Sequence, residues 1–260
     1  TSRGVLHRRP IVPRQTRLPI LRVQPEEISS RVLVVGDPAR AEAAASLLEE
    51  VEKIGDNREY VTFSGVSGGS ERITVCSHGV GSAGAGVCFE ELARAGTKIL
   101  LRAGTCGAVQ DEIRDGELII ASGAVRDEGL TPRLVPGGFP AVAHHDLVSD
   151  LETAVAARGI DPRTGLVLSS DLFYPSAAMG IDWQPWKRSN VLAVEMELAP
   201  LFVIASLHGI RAGGILAVDG NPTQAAQDMS EYDPYRTVVE EATGKMLEIA
   251  IEVLARAQFD

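Results

Sequence analysis

Apolar and polar positions alternate along the chain in short blocks that predict strands and helices in turn. Short β-branched runs, typical of buried strands, lie at residues 31–35, 72–77, 98–103, 117–122, 165–169 and 212–218. Segments with apolar residues at helical spacing lie between or after them, at residues 39–50, 86–95, 146–158, 195–208 and 235–257. Strands that alternate with helices predict a single α/β domain with helices on both faces of the sheet.

Glycine-containing turns follow several of the predicted strands, at residues 36, 79–86, 104–107 and 219–220. In α/β folds, ligands bind outside the carboxyl ends of the strands. The turns therefore predict one site, built from residues that are far apart in the sequence.

The composition fits one globular domain, since 260 residues are enough for a large α/β unit. Asp and Glu total 35 against 25 Lys and Arg, and this net charge of −10 argues against nucleic acid as a partner, because duplex binding needs a basic face. No apolar run approaches the ~20 residues of a membrane span, so no membrane partner is expected. The three cysteines form no CxxC pair, which argues against a disulfide framework or a zinc cluster and fits a cytoplasmic location.

The amino-terminal segment differs in composition from the rest of the chain. It is rich in arginine and contains no acidic residue. We expect residues 1–17 to form a basic, flexible tail and residues 18–260 to form the folded domain.

A GxGxxG motif occupies residues 79–84, after one predicted strand and before a helix. The motif occurs in dinucleotide-binding sites, where an acidic residue at the end of the next strand holds the ribose. Here the next strand ends in Arg102, Ala103 and Gly104, which disfavours a dinucleotide site. The turn can still bring backbone N–H groups close to a ligand.

Two arginines stand beside the glycine turns. Arg40 lies in the first helical turn after Gly36, and Arg102 lies at the end of an otherwise apolar strand, close to Thr105. A guanidinium group is nearly always charged, and its planar fork fits phosphate oxygens. The two arginines therefore predict either a phosphate site or structural ion pairs with acidic partners.

Carboxylates at two further places could bind a ligand or act as an acid. Glu195 and Glu197 begin the predicted helix 195–208, where they can cap the helix or accept the hydroxyls of a ribose. Asp219 ends a strand just before Gly220. It is either a turn-forming residue or an acid aimed into the site.

Several motifs follow one another in a fixed order: Gly36-Asp37-Pro38 with Arg40, residues 102–108, residues 169–174, and Glu195-Met196-Glu197. Together they resemble the hexameric nucleoside phosphorylase family, which includes uridine phosphorylases and bacterial-type purine nucleoside phosphorylases. The resemblance covers residues 19–257, and residues 191–222 look most like the parasite purine enzymes of the family. It implies the family's α/β fold, a single three-layer αβα domain with a central mixed β-sheet. It also implies a pentosyltransferase that cleaves a purine nucleoside with inorganic phosphate, giving free base and ribose 1-phosphate.

The resemblance also implies roles for individual residues. The residues that would bind phosphate are Gly36, Arg40, Arg58, Arg102 and Thr105. The residues that would hold the ribose and the base are Met196, Glu197, Phe173 and Asp219. Arg58 would act in the site of a neighbouring subunit, since the family forms homodimer units within a homohexamer. Asp219 would protonate the purine at N7 and act with Arg102 in catalysis, with no metal and no cofactor besides the co-substrate phosphate.

Two departures from the family pattern leave alternatives open. The family usually has a histidine upstream of Gly36, which binds the ribose 5′-hydroxyl across the dimer. The corresponding residues here, 18–21, read Leu-Pro-Ile-Leu and include no histidine. Residues 176–179 lack the glutamine and the arginine with which uridine phosphorylases contact uracil. The alternatives are a uridine or broad-specificity phosphorylase, a hydrolytic nucleosidase and a non-catalytic nucleoside-binding protein.

Overall fold

The computed structural model describes residues 17–68, 71–176, 178–224 and 232–259, so the predicted basic tail lies outside the described residues apart from Arg17. The strands are β1 (Arg31–Val35), β2 (Glu49–Asn57), β3 (Tyr60–Ser67), β4 (Glu71–Ser77), β5 (Ile99–Ala108), β6 (Leu118–Asp127), β7 (Ala141–Val142), β8 (Arg163–Ser170), β9 (Ala193–Glu195) and β10 (Arg211–Gly220). The helices are α1 (Pro38–Ala45), α2 (Ser82–Ala95), α3 (Thr131–Leu134), α4 (His145–Ala156), α5 (Gln184–Arg188), α6 (Leu198–His208) and α7 (Thr237–Arg256).

The strands form one mixed sheet in the order β10-β6-β8-β9-β5-β1-β4-β3-β2, and β7 pairs with β6. Strand β1 is parallel to β4 and β5, and β10 is parallel to β5, whereas β2, β3 and β4 pair antiparallel. Because β10 pairs with both β5 and β6, the strands β5, β10, β6, β8 and β9 close into a ring. The predicted mixed sheet is confirmed.

Two apolar cores cover the two faces of this sheet. Side chains of β1 alternate between them, with Val32 and Val34 in one core and Leu33 and Val35 in the other. Helices α2 and α6 contribute apolar side chains to the first core, and helices α1, α4 and α7 contribute them to the second. The predicted three-layer αβα arrangement is therefore confirmed.

The predicted helix 39–50 is wrong in its second half. Helix α1 ends at Ala45, and the chain enters β2 at Glu49. Strand β2 lies at the edge of the sheet, and most of its residues are exposed. Charged side chains on an edge strand are a common protection against pairing with another chain. In the sequence, the same charges resemble the solvent-facing side of a helix. The hairpin partner β3 was also not predicted.

Strand β5 continues five residues beyond the predicted end at 103, to Ala108, so Arg102 lies within the strand and not at its end. The sequence misleads because Gly104 and Gly107 suggest a turn. In the fold these glycines leave room for neighbours: a Cβ at Gly104 would lie 2.1 Å from Nη1 of Arg102, and a Cβ at Gly107 would lie 2.7 Å from Cδ of Pro222.

The predicted helix 195–208 begins later than expected. Residues Ala193–Glu195 form the short strand β9, and helix α6 begins at Leu198. The remaining predicted strands and helices are present with shifted ends, and α2 starts at Ser82 rather than at residue 86. Within the described ranges, no helix combines the length and the apolar character needed to cross a bilayer.

Candidate active site

A cavity of about 980 Å³ lies where β1, β5 and β10 end, beside β9 and α6. This volume is within the range of pockets that hold small molecules. The predicted site residues that line it are Gly36, Arg40, Arg102, Thr105, Phe173, Met196, Glu197 and Asp219. Arg58 is the predicted site residue that the fold does not bring there: it is exposed in the turn between β2 and β3, with φ 58°.

A buried ion-pair network forms the floor of the cavity. Arg102 is only 4% exposed; its Nη2 donates to Oε2 of Glu197, and its Nη1 lies 3.5 Å from Oε2 of Glu195. Nε and Nη1 of Arg102 make no hydrogen bond with any described residue. A buried guanidinium with N–H groups to spare is well suited to bind an anion in the cavity.

Glu195 lines the cavity, but its carboxylate is engaged in capping helix α6. Its carboxylate accepts the backbone N–H of Glu197 at 2.8 Å and of Leu198 at 2.9 Å, and it also accepts the hydroxyl of Ser169. Burial raises the pKa of Glu195, and the nearby Arg102 opposes this shift. Both acids considered for a ribose thus line the cavity, but Glu195 is bound to the helix terminus, whereas Glu197 is bound to Gly81 and Arg102.

Glu197 is held between the glycine turn and Arg102. The N–H of Gly81, a residue with φ 91°, donates to Oε1 of Glu197 at 2.7 Å. Nδ1 of the buried His78 donates to the carbonyl of Gly79 at 2.7 Å, and burial lowers the pKa of His78 to about 4, which keeps the ring neutral at pH 7. The GxGxxG segment thus positions a carboxylate, which is not the role it has in a dinucleotide site.

Arg40 reaches the cavity from the first turn of helix α1. Asp37 caps this helix by accepting the N–H of Arg40 at 2.9 Å, and its second oxygen lies 3.7 Å from Nε of the same arginine. Burial lowers the pKa of Arg40 from its usual value, but a guanidinium remains charged. Arg40 and Arg102 are close enough to repel each other, which favours an anion between them.

Asp219 is 5% exposed and lies at a bulge in β10, where the pairing with β5 shifts register between Val218 and Gly220. Its Oδ2 accepts the hydroxyl of Tyr232 at 2.8 Å, and its carboxyl also bonds to the side chain of Thr105. Burial raises the pKa of Asp219, and these hydrogen bonds oppose the shift. The irregularity in the strand thus coincides with a residue that lines the cavity.

Aromatic side chains form one wall of the cavity. Phe173, in the loop after β8, packs edge-to-face on Tyr174 at a ring distance of 4.9 Å and on Tyr232 at 5.7 Å. Asp171 fixes this loop by accepting the hydroxyl of Ser82 at 2.6 Å and the N–H of Gly129 at 2.7 Å. Tyr232 also lines the cavity, and the sequence gives no sign of this, because no strand, glycine turn or motif marks its position.

Residues 18–21, where the family histidine is absent, pack against the core through three of their four side chains, Leu18, Ile20 and Leu21. Leu18 and Leu21 are buried, and the carboxylate of Glu91 on α2 accepts the N–H groups of Ile20 and Leu21 at 2.9 and 2.8 Å. His7, the nearest upstream histidine, lies outside the described residues. None of residues 18–21 lines the cavity described above.

Comparisons with known proteins agree on one family. The profile of the phosphorylase superfamily matches residues 30–255. The purine nucleoside phosphorylase of Plasmodium falciparum (isolate 3D7) is 36% identical over 237 residues, covering 91% of this chain and 95% of that protein. The uridine phosphorylase of Haemophilus influenzae is 38% identical over 204 residues, covering 74% of this chain and 81% of that protein.

Solved structures give the same result. The purine nucleoside phosphorylase from Toxoplasma gondii in complex with immucillin-H superposes with a TM-score of 0.87 at 32% identity, covering 93% of this chain and 96% of that one. The uridine phosphorylase from Vibrio fischeri ES114 superposes with a TM-score of 0.82 at 30% identity, covering 93% and 98%. This chain therefore belongs to the phosphorylase superfamily, together with these purine nucleoside and uridine phosphorylases.

Proposed function

We propose that the protein is a nucleoside phosphorylase with a preference for purine nucleosides. It cleaves the N-glycosidic bond with inorganic phosphate and releases the free base and ribose 1-phosphate. The observation that carries the proposal is the buried Arg102, which lines the same cavity as Asp219, pairs with Glu197 and has two nitrogens without a hydrogen-bond partner among the described residues. One cavity thus contains a candidate anion site, a candidate ribose acceptor and a candidate acid.

The phosphate binds between Arg40 and Arg102. Both guanidinium groups line the cavity, and the fork of each matches two phosphate oxygens. Gly36 and Thr105 line the same part of the cavity, and a Cβ at Gly36 would meet nothing within 4 Å, so the backbone there is open to a close ligand. The bound phosphate is held for attack on C1′ of the nucleoside.

Glu197 and Met196 hold the ribose. A carboxylate can accept both the 2′- and the 3′-hydroxyl, and Glu197 is fixed for this by Gly81 and Arg102. Cleavage of the C1′–N bond builds positive charge on the sugar, as in glycoside hydrolysis. The phosphate anion beneath the ring stabilises that charge.

The departing base is protonated by Asp219 and stacks on Phe173. A purine leaves as an anion unless a proton reaches N7, and burial raises the pKa of Asp219, which favours the protonated acid. Activity toward purine nucleosides should therefore fall as the pH rises through the pKa of Asp219. A uridine or broader specificity remains the second candidate, favoured by the uridine phosphorylase at 38% identity.

A second copy of the chain completes the phosphate site in this proposal. Arg58 is exposed at the tip of the β2–β3 hairpin and does not line the cavity of its own chain. We assign it to the site of a neighbouring subunit, in homodimer units that assemble into a homohexamer. We also assign the protein to the cytoplasm, since its cysteines are free and buried, and we expect no metal or organic cofactor.

Phosphate dependence tests the proposed function. Release of free base is followed from inosine, adenosine, uridine and methylthioadenosine, each with and without phosphate. We expect turnover only with phosphate, and fastest with a purine nucleoside. Equal turnover without phosphate would indicate a nucleosidase, and a preference for uridine would contradict the assignment of Asp219.

Gly104→Ala is expected to weaken the phosphate site without touching any ligand. The new Cβ would lie 2.1 Å from Nη1 of Arg102, so the guanidinium must move. We expect kcat/KM for phosphate to fall by roughly tenfold or more, since small misplacements at a reacting centre have effects of this size. Steady-state kinetics with varied phosphate measure the change.

Gly137→Ala is the matched control, because a Cβ there meets nothing within 4 Å and the residue is exposed. It should keep wild-type kinetics. Wild-type phosphate kinetics in Gly104→Ala would show that the observed position of Arg102 is not the working one.

A further inference from the structure

Tyr232 stands beside the proposed acid, in the segment that follows β10. Its hydroxyl donates to Oδ2 of Asp219 at 2.8 Å, and its ring lines the cavity. No catalytic or binding motif in the sequence points to this tyrosine, and the function proposed above assigns it no role. Its contact with the carboxyl is direct, so it can act on the acid without touching the reacting bond.

The ring of Tyr232 connects the acid to the aromatic wall. It packs edge-to-face against Phe173 with a ring distance of 5.7 Å. It also lies close to Gly220, where a Cβ would be 3.6 Å from two of the ring carbons. The ring is therefore held by two neighbours, and its hydroxyl is held by Asp219.

Arg236 clamps the same segment onto the end of β10. Its Nη2 donates to the backbone carbonyl of Asp219 at 2.8 Å, and its Nε donates to the carbonyl of Asp233 at 2.9 Å. Its Nη1 donates to the carboxylate of Asp115 at 2.7 Å. The peptide that carries Tyr232 is thereby tied to the peptide that carries Asp219.

We propose that Tyr232 is a positioning residue that orients the carboxyl of Asp219 toward the leaving purine and closes the base pocket against Phe173. This proposal rests on the proposed function, in which Asp219 protonates N7. Because Oδ2 accepts the Tyr232 hydroxyl, the plane and direction of the Asp219 carboxyl are fixed in the cavity. Tyr232 itself transfers no proton and forms no bond to the substrate.

Several groups set the protonation of Asp219. Arg40 faces it from α1, Thr105 and Cys106 from β5, and Tyr232 and Arg236 from the segment after β10. Burial raises the pKa of Asp219, and the hydrogen bond from Tyr232 is the largest influence that lowers it. Without the hydroxyl the pKa of Asp219 rises further, so the protonated acid persists to higher pH.

Tyr232→Phe separates this role from simple packing, because it removes the hydroxyl and keeps the ring. We compare wild type and variant on inosine across pH at saturating phosphate. We expect kcat to fall by roughly tenfold, as for a misplaced catalytic group, and the alkaline decline of activity to move to higher pH. Tyr235→Phe, at a side chain that is 80% exposed, is the matched control and should behave as wild type.

N7-methylinosine provides the second arm of the test. Its base carries a methyl group at N7 and leaves without being protonated there, so its phosphorolysis should be the same in wild type and Tyr232→Phe. That result also shows that the variant is folded. Equal losses on both substrates with no change in the pH profile, or wild-type behaviour on inosine, would overturn the role of Tyr232. Failure of wild type to use phosphate would instead overturn the proposed function.

Discussion

Replacing Asp219 by asparagine is expected to lower kcat for purine nucleosides by ~10²-fold or more, the usual scale for loss of a general acid. The amide keeps the size of the side chain and can still accept the hydroxyl of Tyr232, but it cannot deliver a proton to N7. The KM for phosphate should change little, because Arg40 and Arg102 are unaffected. Initial rates of base release from inosine at saturating phosphate measure the effect.

Asp150→Asn is the control for this variant. Asp150 is exposed on α4, outside the cavity lining, so the same chemical change there should leave kcat at the wild-type value. A wild-type kcat for inosine in Asp219→Asn would remove Asp219 from the role of acid. The pH profile gives a further check, since the variant should lose the alkaline decline that the raised pKa of Asp219 produces in wild type.

Replacing Arg102 by alanine is expected to raise the KM for phosphate by ~10²-fold, since hydrogen bonds to charged groups contribute about 1.5–3 kcal/mol each. The change also leaves Glu195 and Glu197 buried without their cation, and breaking such a pair costs about 3–5 kcal/mol of folding free energy. Kinetics with varied phosphate and urea unfolding measure the two effects separately.

Arg102→Lys keeps the test informative if the alanine variant does not fold. A lysine keeps the positive charge but lacks the planar guanidinium fork. Its single ammonium group cannot contact two carboxylates and a phosphate at the same time. Its KM for phosphate should lie between those of wild type and the alanine variant. Arg94→Ala, at a side chain 59% exposed on α2, should change neither quantity. A rise in the KM for nucleoside alone would show that Arg102 does not bind phosphate.

The layers of the fold were predictable from the sequence because strands and helices differ in the spacing of their apolar residues. The β2–β3 hairpin was not, because the alternating charges of an exposed edge strand imitate a helix that faces solvent. The end of β5 was misjudged for a different reason. Gly104 suggests a turn, whereas in the fold it is extended and gives space to the guanidinium of Arg102.

The candidate site was largely predictable as a set of residues, since most of them gather around one cavity. Their individual partners were not predictable, because these depend on tertiary packing. Glu195 and Glu197 look equivalent in sequence, yet Glu195 caps α6, whereas Glu197 accepts the N–H of Gly81 and pairs with Arg102. Tyr232 reaches Asp219 only because Arg236 ties its segment to β10. The role of Arg58 depends on a second chain and stays a prediction.

The most direct test of the phosphorylase assignment is to identify the sugar product. Inosine and phosphate are incubated with the protein, and ³¹P NMR follows inorganic phosphate and ribose 1-phosphate while hypoxanthine is quantified. We predict one ribose 1-phosphate formed and one phosphate consumed for each base released. Free ribose with phosphate unconsumed would contradict the assignment, because water would then be the nucleophile and Arg40 and Arg102 would serve another purpose.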